Sequence, residues 1–166
     1  LKQDSLQGDK VIVDIIQSMK GKVVFTENGF VTETSNTKAT TIDLADCPDL
    51  GPIVSLLAAL SSGTTHIINA HRLRIKESDR IKSTVQTLKT LGADITSENN
   101  KIIVRGQKML QGGATVDSFN DHRIAMMAAI ASTRCEKEIT ITNADAVNKS
   151  YPYFFEDFKK VGGRIK

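Results

Sequence analysis

The sequence has 166 residues, of which 40% are hydrophobic and 25% are charged, and its formal net charge is +3 at pH 7. A chain of this length can bury one sizeable core, and its composition excludes a disordered tail, a collagen-like fibre and a disulfide-rich miniprotein. The small positive excess favours anionic ligands only weakly and selects no particular partner.

The first predicted elements form one structural unit, which starts with an amphipathic helix. Apolar residues spaced by three, at Val13, Ile16 and Met19, predict this helix. A tight turn at Asn28-Gly29 then predicts a hairpin. The strands of the unit are predicted at Lys22–Thr26, Phe30–Thr32, Thr40–Leu44 and His66–Asn69. Its second helix is predicted to start at Asp49, between the last two of these strands.

The same order of elements recurs about 72 residues later, which indicates an internal repeat. Val85, Leu88 and Leu91 take the places of the first helix. We expect a single domain over 1–166, with copies at about 9–70 and 78–145 and a truncated third copy from 150. The strands of the second copy are predicted at Asp94–Thr96, Lys101–Val104, Ala114–Ser118 and Glu138–Thr142. Its second helix is predicted to start at Asp121.

The second helix of each copy is unusually apolar. Ile53–Leu60 and Ile124–Ala131 have almost no polar face, and a helix that is apolar all round is buried all round. We therefore expect an α/β (α+β) fold with helices inside and sheets outside. The third copy offers a helix over Tyr151–Val161, ended by Gly162-Gly163. Its incomplete plan predicts either an exposed edge or completion by a segment outside this sequence.

Several features concern the class of protein. No apolar run reaches the roughly 20 residues of a membrane helix, and no secretory signal opens the sequence. A first residue Leu1 in place of Met favours a processed chain or a piece of a longer one. Cys47 and Cys135 lack a CxxC spacing, so we expect reduced thiols in a cytosolic protein, with a single disulfide as the alternative.

The densest polar segment runs from His71 to Arg80, between a strand end and a helix start. Lys76 and Arg80 are four residues apart, so side by side in a first helical turn they can grip a phosphate or carboxylate. The alternative is a solvated charge run in which Glu77 and Asp79 are paired internally, and the charge pattern alone favours it.

A second polar segment, Asn120–Arg123, lies at the start of an apolar helix. Asp121 suits a helix N-cap. His122 and Arg123, counted as two basic groups in the first turn, oppose the helix dipole unless an anion binds nearby. The segment can therefore either bind an anionic ligand or serve only to cap the helix, and the sequence does not choose between these roles.

Two further residues lie at equivalent junctions of the repeat. Asp49 is predicted mainly as an N-cap, with hydroxyl binding or base catalysis as the functional alternative. Lys149 follows Lys76 at nearly the repeat distance, and a solvated lysine is the alternative to a ligand contact.

Several common signatures are absent from the sequence. It contains no phosphate-binding Walker loop, no GxGxxG motif and no GxSxG motif, and His66, His71 and His122 lack metal-ligand spacing. The basic segment has no interleaved aromatic residues, which disfavours nucleic-acid binding.

Two long segments, Arg74–Arg80 and Asn120–Met126, stand at a compatible separation, and two shorter ones, Leu6–Asp9 and Asn148–Pro152, accompany them. Together they resemble the signature segments of the 5-enolpyruvylshikimate-3-phosphate (EPSP) synthase family, and the resemblance runs nearly from end to end. It implies an enolpyruvyl-transferase lobe of βαβαββ units. The chain resembles most of the C-terminal lobe of a two-lobed enzyme, which the family's extreme N-terminus helps to complete.

The resemblance also implies an activity. Members of the family transfer the enolpyruvyl group of phosphoenolpyruvate to the 5-hydroxyl of shikimate 3-phosphate in chorismate and aromatic amino-acid biosynthesis. The reaction is an addition and elimination through a tetrahedral intermediate, and it uses no metal or organic cofactor. The implied location is cytoplasmic, with neither nucleic acid nor membrane as partner. Because the N-terminal lobe is not in this sequence, we expect the chain alone to be inactive.

Residue roles follow from the matching positions. Asp49 matches the carboxylate that holds the shikimate hydroxyl and is proposed as its base. Lys76 matches a lysine of the shikimate-phosphate site, and Glu77 matches a proposed proton-transfer acid. The resemblance further implies that three cations bind phosphoenolpyruvate, namely Arg80, Arg123 and Lys149. It places Asp121 and His122 next to these cations.

Arg72 departs from the family pattern, since some members have an Asn there that contacts shikimate 3-phosphate. Two alternative functions stay open. One is a lobe of the sister enolpyruvyl transferase that acts on UDP-N-acetylglucosamine, and the other is a non-catalytic module that binds anions or a protein. The segments 76–80 and 121–123 favour the shikimate enzyme.

Overall fold

The computed structural model of the chain describes residues 6–27 and 29–166, so Asn28 of the predicted hairpin turn lies outside the described residues. Helices α1 to α5 span Ile12–Ser18, Gly51–Ala59, Arg80–Thr90, His122–Ser132 and Phe154–Lys160. Strands β1 to β10 span Lys22–Thr26, Gly29–Glu33, Thr41–Asp43, Thr64–Ile68, Asp94–Glu98, Lys101–Arg105, Leu110–Gly112, Thr115–Asp117, Cys135–Lys137 and Thr140–Thr142. Tight 3-10 turns occur at Gly8–Val11, Pro48–Leu50, Ala70–Ile75 and Ala144–Lys149.

The strands pair in a way that repeats along the chain. The largest sheet has the order β3-β4-β6-β5, in which β3 and β4 are parallel and flank α2 in the sequence. The hairpin β5-β6 joins this sheet through antiparallel pairing of β6 with β4. In the second copy β8 and β10 are parallel and flank α4 in the same manner. The short strands β7 and β9, which the sequence analysis did not predict, form a further parallel pair.

The two copies share one local structure at the ends of their parallel strands. Asn69 has a left-handed backbone (φ 56°) and donates hydrogen bonds of 2.9 and 3.0 Å to the carboxylate of Asp43. Asn143 has φ 53° and donates a hydrogen bond of 3.1 Å to Asp117 Oδ1. Asn tolerates this backbone conformation better than most residues, because its short side chain bonds locally. Each pair holds the strand ends together at the edge where the polar segments leave the sheet.

Helices α2 and α4 pack against each other and against α3 at the centre of the molecule. Val54, Ala58, Ile124 and Ala128 on their facing sides are fully buried. The expected class of mixed helix and sheet with helices inside is therefore confirmed, and the similarity to solved structures reported below supports it. The domain boundaries stay a prediction.

The prediction that α2 and α4 are buried all round is wrong for one side. Ile53 and Met126 are only partly buried, and Ile130 is 38% exposed. These three side chains line an open groove on that side of the two helices. The third copy contributes α5, whose Phe154 and Phe158 pack against α4.

The start of α2 differs from the sequence prediction. Asp49 lies in the 3-10 turn Pro48–Leu50, and the helix begins two residues later at Gly51. Pro48 has a fixed φ that suits this tight first turn. Asp49 is therefore not an N-cap, and its carboxylate is directed to cationic side chains instead.

The start of α3 also differs. Lys76 has an extended backbone (φ −98°, ψ −164°), so Lys76 and Arg80 do not share a helical turn as predicted. The helix begins at Arg80 because Asp79 acts as its N-cap, accepting a hydrogen bond of 3.3 Å from the backbone N–H of Lys82.

The structure bears on the predictions about the two cysteines and about membrane-spanning helices. Cys47 and Cys135 are free thiols, so the alternative of a disulfide is wrong. Among residues 6–27 and 29–166, no helix has the length and apolar character needed to cross a membrane.

Candidate functional site

The site is built around the guanidinium of Arg80, whose side chain is 1% exposed. Its Nε and Nη2 donate to Asp121 Oδ2 at 2.8 Å and Oδ1 at 3.2 Å, and its Nη1 donates to Asp49 Oδ1 at 2.8 Å. Nη2 also donates to Glu77. A buried arginine is stable only when its donors find acceptors, and here three carboxylates from three segments provide them.

Asp121 is completely buried and holds this arrangement from the start of α4. It is the N-cap of that helix, as predicted, and accepts a hydrogen bond of 2.9 Å from the backbone N–H of Arg123. Ser78 donates to Asp121 Oδ2 at 3.0 Å and bonds to Ser83 at 2.9 Å. Burial acts to raise the pKa of Asp121, but hydrogen bonds and charge from Arg80 outweigh it and hold the pKa below its ordinary range. Asp121 is therefore an acceptor at neutral pH.

Asp49 collects three cations on one carboxylate. Lys76 Nζ lies 3.0 Å and Arg80 Nη1 2.8 Å from Oδ1, while Arg123 Nη2 lies 3.3 Å from Oδ2. Arg123 Nη1 also donates to the backbone oxygen of Asp49 at 3.1 Å. Burial tends to raise the pKa of Asp49, but the hydrogen bond from Lys76 and the charges of the three cations lower it overall. The carboxylate is 33% exposed, so water and small ligands reach it.

His122 is buried, and the Nδ1 atom of its ring has no hydrogen-bond partner within the described part of the chain. Glu77 Oε1 lies 3.8 Å from this atom. Burial lowers the pKa of His122 below its ordinary value, although the nearby Glu77 and Asp121 act in the opposite direction. The prediction that counted His122 as a second cation in the first turn of α4 is therefore wrong at neutral pH, because the buried ring is neutral.

Lys149 lies beside this cluster without joining it. Its Nζ donates to the backbone oxygen of Asn120, one residue before Asp121. Its side chain is largely exposed, so it forms the rim of the site. We use the name cationic cluster for Lys76, Arg80 and Arg123, which the structure brings together on Asp49.

Sequence reasoning missed two members of the site. Asp9 Oδ2 lies 3.7 Å from Arg123 Nη2, and Ser78 bonds to Asp121 as described above. Both residues stood inside matching segments of the family resemblance, which was the only available signal. Neither carries a pattern of its own that predicts a contact across the fold.

The interpretation of 71–80 as a solvated charge run is right for one part and wrong for another. Arg74 pairs with Asp79 at 3.2 Å and is exposed, as a solvated run predicts. Arg80 is buried and belongs to the core of the site. Arg72, which departs from the family pattern, donates to the backbone oxygen of Ala45 at 3.1 Å.

An apolar groove of about 200 Å³ adjoins the cationic cluster. Asp49 and Arg123 form its polar end. Its walls come from the uncovered side of α2 and α4, namely Pro52, Ile53, Met126, Met127 and Ile130. A groove with a charged end and apolar walls suits a small ligand that has an anionic group and an apolar or planar body.

The chemistry of the site is that of anion binding and proton transfer. Three cations lie beside carboxylates that are ionised at neutral pH, and a neutral imidazole lies within reach of Glu77. Within the described ranges, no group of three or more His, Cys, Asp or Glu side chains is arranged to hold a metal ion.

Comparison with known proteins gives a consistent result. The family model of EPSP synthase (3-phosphoshikimate 1-carboxyvinyltransferase) matches residues 1–158. A 3-phosphoshikimate 1-carboxyvinyltransferase of Clostridium novyi is 52% identical over 162 residues, which is 98% of this chain and 37% of that protein. The protein of the same name in Clostridium acetobutylicum is 48% identical over 165 residues, covering 99% of this chain and 38% of that protein.

Solved structures agree at the level of the fold. EPSP synthase from Acinetobacter baumannii superposes with a TM-score of 0.84 at 26% identity, over 96% of this chain and 40% of that one. The enolpyruvyl transferase NikO from Streptomyces tendae gives a TM-score of 0.78 at 21% identity, over 95% of this chain and 36% of that one, and shows the fold alone. The chain thus spans about two fifths of the length of the relatives it matches.

Proposed function

The chain belongs to the EPSP synthase family, and from that premise we propose that it forms the C-terminal lobe of a 3-phosphoshikimate 1-carboxyvinyltransferase. The reaction transfers the enolpyruvyl group of phosphoenolpyruvate to the 5-hydroxyl of shikimate 3-phosphate. It belongs to aromatic amino-acid biosynthesis in the cytoplasm.

One observation carries the proposal. The two segments that resemble the family signatures are distant in sequence, yet Arg80 of one and Asp121 of the other form a buried ion pair. Arg123 and Lys76, from the same two segments, meet on Asp49. Phosphoenolpyruvate carries a phosphate and a carboxylate, and a set of cations beside a helix start suits such a ligand.

We assign the roles accordingly. Arg80, Arg123 and Lys149 form the grip on phosphoenolpyruvate. Arg123 and Lys149 contact it, and the buried Arg80 holds the carboxylates of Asp49, Glu77 and Asp121 in place behind them. Lys76 contacts shikimate 3-phosphate near the reacting hydroxyl. The remaining assignments are Asp49 as the group that orients that hydroxyl and accepts its proton, Glu77 as the proton-transfer acid, and Asp121 and His122 as neighbours that hold the grip in place.

The ionisation of Asp49 bears on its role. A carboxylate whose pKa is lowered by three cations is a good hydrogen-bond acceptor but a weak base. It becomes a stronger base only if a ligand draws cations away from it. Asp49 therefore first orients the substrate hydroxyl as a hydrogen-bond acceptor. It can take the proton of that hydroxyl only after a ligand has drawn cations away from it.

The lobe needs its counterpart for catalysis. The chain covers 37% of the C. novyi relative, and a half-open site excludes water poorly and orients two substrates poorly. We therefore propose that the isolated chain is inactive and that an N-terminal lobe of the same enzyme completes the site.

The test is a phosphate-release assay with phosphoenolpyruvate and shikimate 3-phosphate. The chain is assayed alone and after mixing with a separately expressed N-terminal lobe of a curated relative. We expect release only in the mixture. Release by the chain alone contradicts the need for a second lobe. Silence of the mixture, with both lobes folded by circular dichroism, contradicts the enzymatic proposal and favours a binding module.

Variants make the assay specific to the site. Lys76→Ala and Arg123→Ala are expected to reduce the rate of the mixture by about 100-fold or more, since each removes a cation from the transition-state environment. Arg105→Ala is the matched control, because Arg105 is an exposed cation that pairs with the exposed Asp94 at 3.4 Å. Release with UDP-N-acetylglucosamine in place of shikimate 3-phosphate would instead assign the sister transferase.

A further inference from the structure

All three members of the cationic cluster pair with one carboxylate of the protein itself, that of Asp49. We propose that Asp49 is an exchangeable counter-ion. When a ligand phosphate or carboxylate arrives, Lys76 and Arg123 transfer from Asp49 to the ligand, while Arg80 stays where it is. This inference rests on the proposed function, because it names how the same site accepts its anionic substrate.

The three cations of the site already have carboxylate partners. Three cations, Lys76, Arg80 and Arg123, are paired with three carboxylates. At the rim, Lys149 and Asp9 add one charge of each sign. The ring of His122 is neutral. A ligand anion therefore gains hydrogen bonds from these cations only where a carboxylate gives them up. The three carboxylates concerned are Asp49, Glu77 and Asp121.

Asp121 cannot take the part of the exchangeable carboxylate. It is fully buried, binds Arg80 through both oxygens, and caps α4. Releasing it would leave a buried charge without a partner, which is strongly unfavourable. Glu77 is also a poor candidate, because the cation it holds is the buried Arg80, and freeing that side chain exposes no new donor to solvent.

Asp49 has the opposite properties. Its carboxylate is 33% exposed, and two of its cations are accessible as well, with the side chains of Lys76 and Arg123 exposed by 26% and 29%. Arg123 lines the groove together with Asp49, and Lys76 contacts the same Asp49 carboxylate. Ion pairs at such partly exposed positions contribute little to stability, so a ligand anion competes with them at small cost.

The exchange has a chemical consequence. The same cations that Asp49 gives up are those that hold its pKa low. Their transfer to the ligand makes Asp49 more basic at the moment when the substrate hydroxyl lies beside it. Anion binding thereby prepares the proton acceptor.

Equilibrium binding of inorganic phosphate to the 166-residue chain tests the inference, measured by calorimetry at pH 7.5 and low ionic strength. Asp49→Asn removes the internal anion and keeps the shape of the side chain. We expect it to bind phosphate about tenfold more tightly than the wild type, because a negative charge a few ångströms from the ligand is gone. Asp94→Asn is the matched control, since it causes the same change in net charge at an exposed pair with Arg105.

Equal affinity in the wild type and Asp49→Asn overturns the inference, as does the same gain in both variants. Absence of binding in every protein also overturns it. The proposed function is judged separately by activity of the mixed lobes, so an active mixture together with equal phosphate affinities rejects the counter-ion and leaves the enzyme assignment standing.

A second measurement uses the wild type, so that a folding defect of Asp49→Asn leaves the inference testable. Nitrogen-15 NMR follows the side-chain signals of lysines and arginines during a phosphate titration. We expect the signals of Lys76 and Arg123 to move and that of Arg80 to stay within line width. Movement of Arg80 to the same extent, or of neither exchangeable cation, contradicts the exchange.

Discussion

Arg80 and Asp121 form a two-point ion pair, with Nε 2.8 Å from Oδ2 and Nη2 3.2 Å from Oδ1, although 41 residues separate them in the sequence. Arg80 is the first residue of α3, and Asp121 is the N-cap of α4. Both side chains are buried. The pair therefore joins the starts of two helices from the same repeat, and it ties the geometry of the site to the packing of the core.

Breaking this pair should cost stability. Asp121→Asn removes the carboxylate that binds the buried Arg80 at two points and leaves Asp49 and Glu77 as its charged partners. Loss of one partner of a buried pair costs up to about 3–5 kcal/mol. The free energy of unfolding in urea measures it. Asp94→Asn, which removes the exposed pair with Arg105, should change it by about 1 kcal/mol or less. Equal effects of the two substitutions would show that the buried pair has no special weight.

Acid should weaken the fold through the same carboxylates. The pKa values of Asp49 and Asp121 lie below the ordinary value in the folded state, so the unfolded state binds more protons as the pH falls. Their contribution is fully present above the unfolded-state pKa of about 3.9 and is lost as the pH falls below it toward the folded-state values. Thermal unfolding between pH 6 and pH 3 measures this loss. Asp121→Asn should show a smaller loss than the wild type.

His122 should titrate below its ordinary pKa of 6.5, because burial disfavours its charged form. Its depressed pKa means that its contribution to stability is present above about pH 6.5 and is lost as the pH falls below it. Proton NMR of the ring measures the midpoint. Glu77→Gln should lower that midpoint further, since the charge of Glu77 raises it.

The control for His122 is Glu138→Gln, because Glu138 is an exposed carboxylate that pairs with Lys166. It should leave the midpoint of His122 unchanged. A midpoint at or above 6.5 in the wild type would contradict the neutral ring described for the site.

Ser78 should contribute through its hydrogen bond to the charged Asp121. Ser78→Ala removes a donor from a buried carboxylate, and such bonds to charged groups contribute about 1.5–3 kcal/mol. Ser78→Thr keeps the hydroxyl and should recover most of the loss in urea unfolding. Ser132→Ala is the comparison, since the hydroxyl of Ser132 donates to the backbone oxygen of Ala129 in its own helix. A loss no larger than that of Ser132→Ala would argue against the contact with Asp121.

Local patterns predicted the helices and strands well where one face is apolar. The spacing of Val85, Leu88 and Leu91 indicated the helix that the structure places at Arg80–Thr90 and just beyond. Helix starts were less predictable. Asp49 and Asp121 occupy equivalent places in the repeat, yet only Asp121 is an N-cap, because the turn Pro48–Leu50 delays the start of α2.

The sequence by itself determined the mixed class of the fold and pointed to the segments that the structure brings together, because periodicity and local motifs depend on neighbours along the chain. Only the tertiary structure decided that Arg80 is buried while Arg74 is solvated, that His122 is neutral, and that Asp49 carries the cations of both segments. Burial and ion pairing depend on side chains brought together across the fold, over separations such as the 74 residues between Asp49 and Arg123. The local sequence around a charged residue therefore does not predict which side chains it will contact in the folded chain.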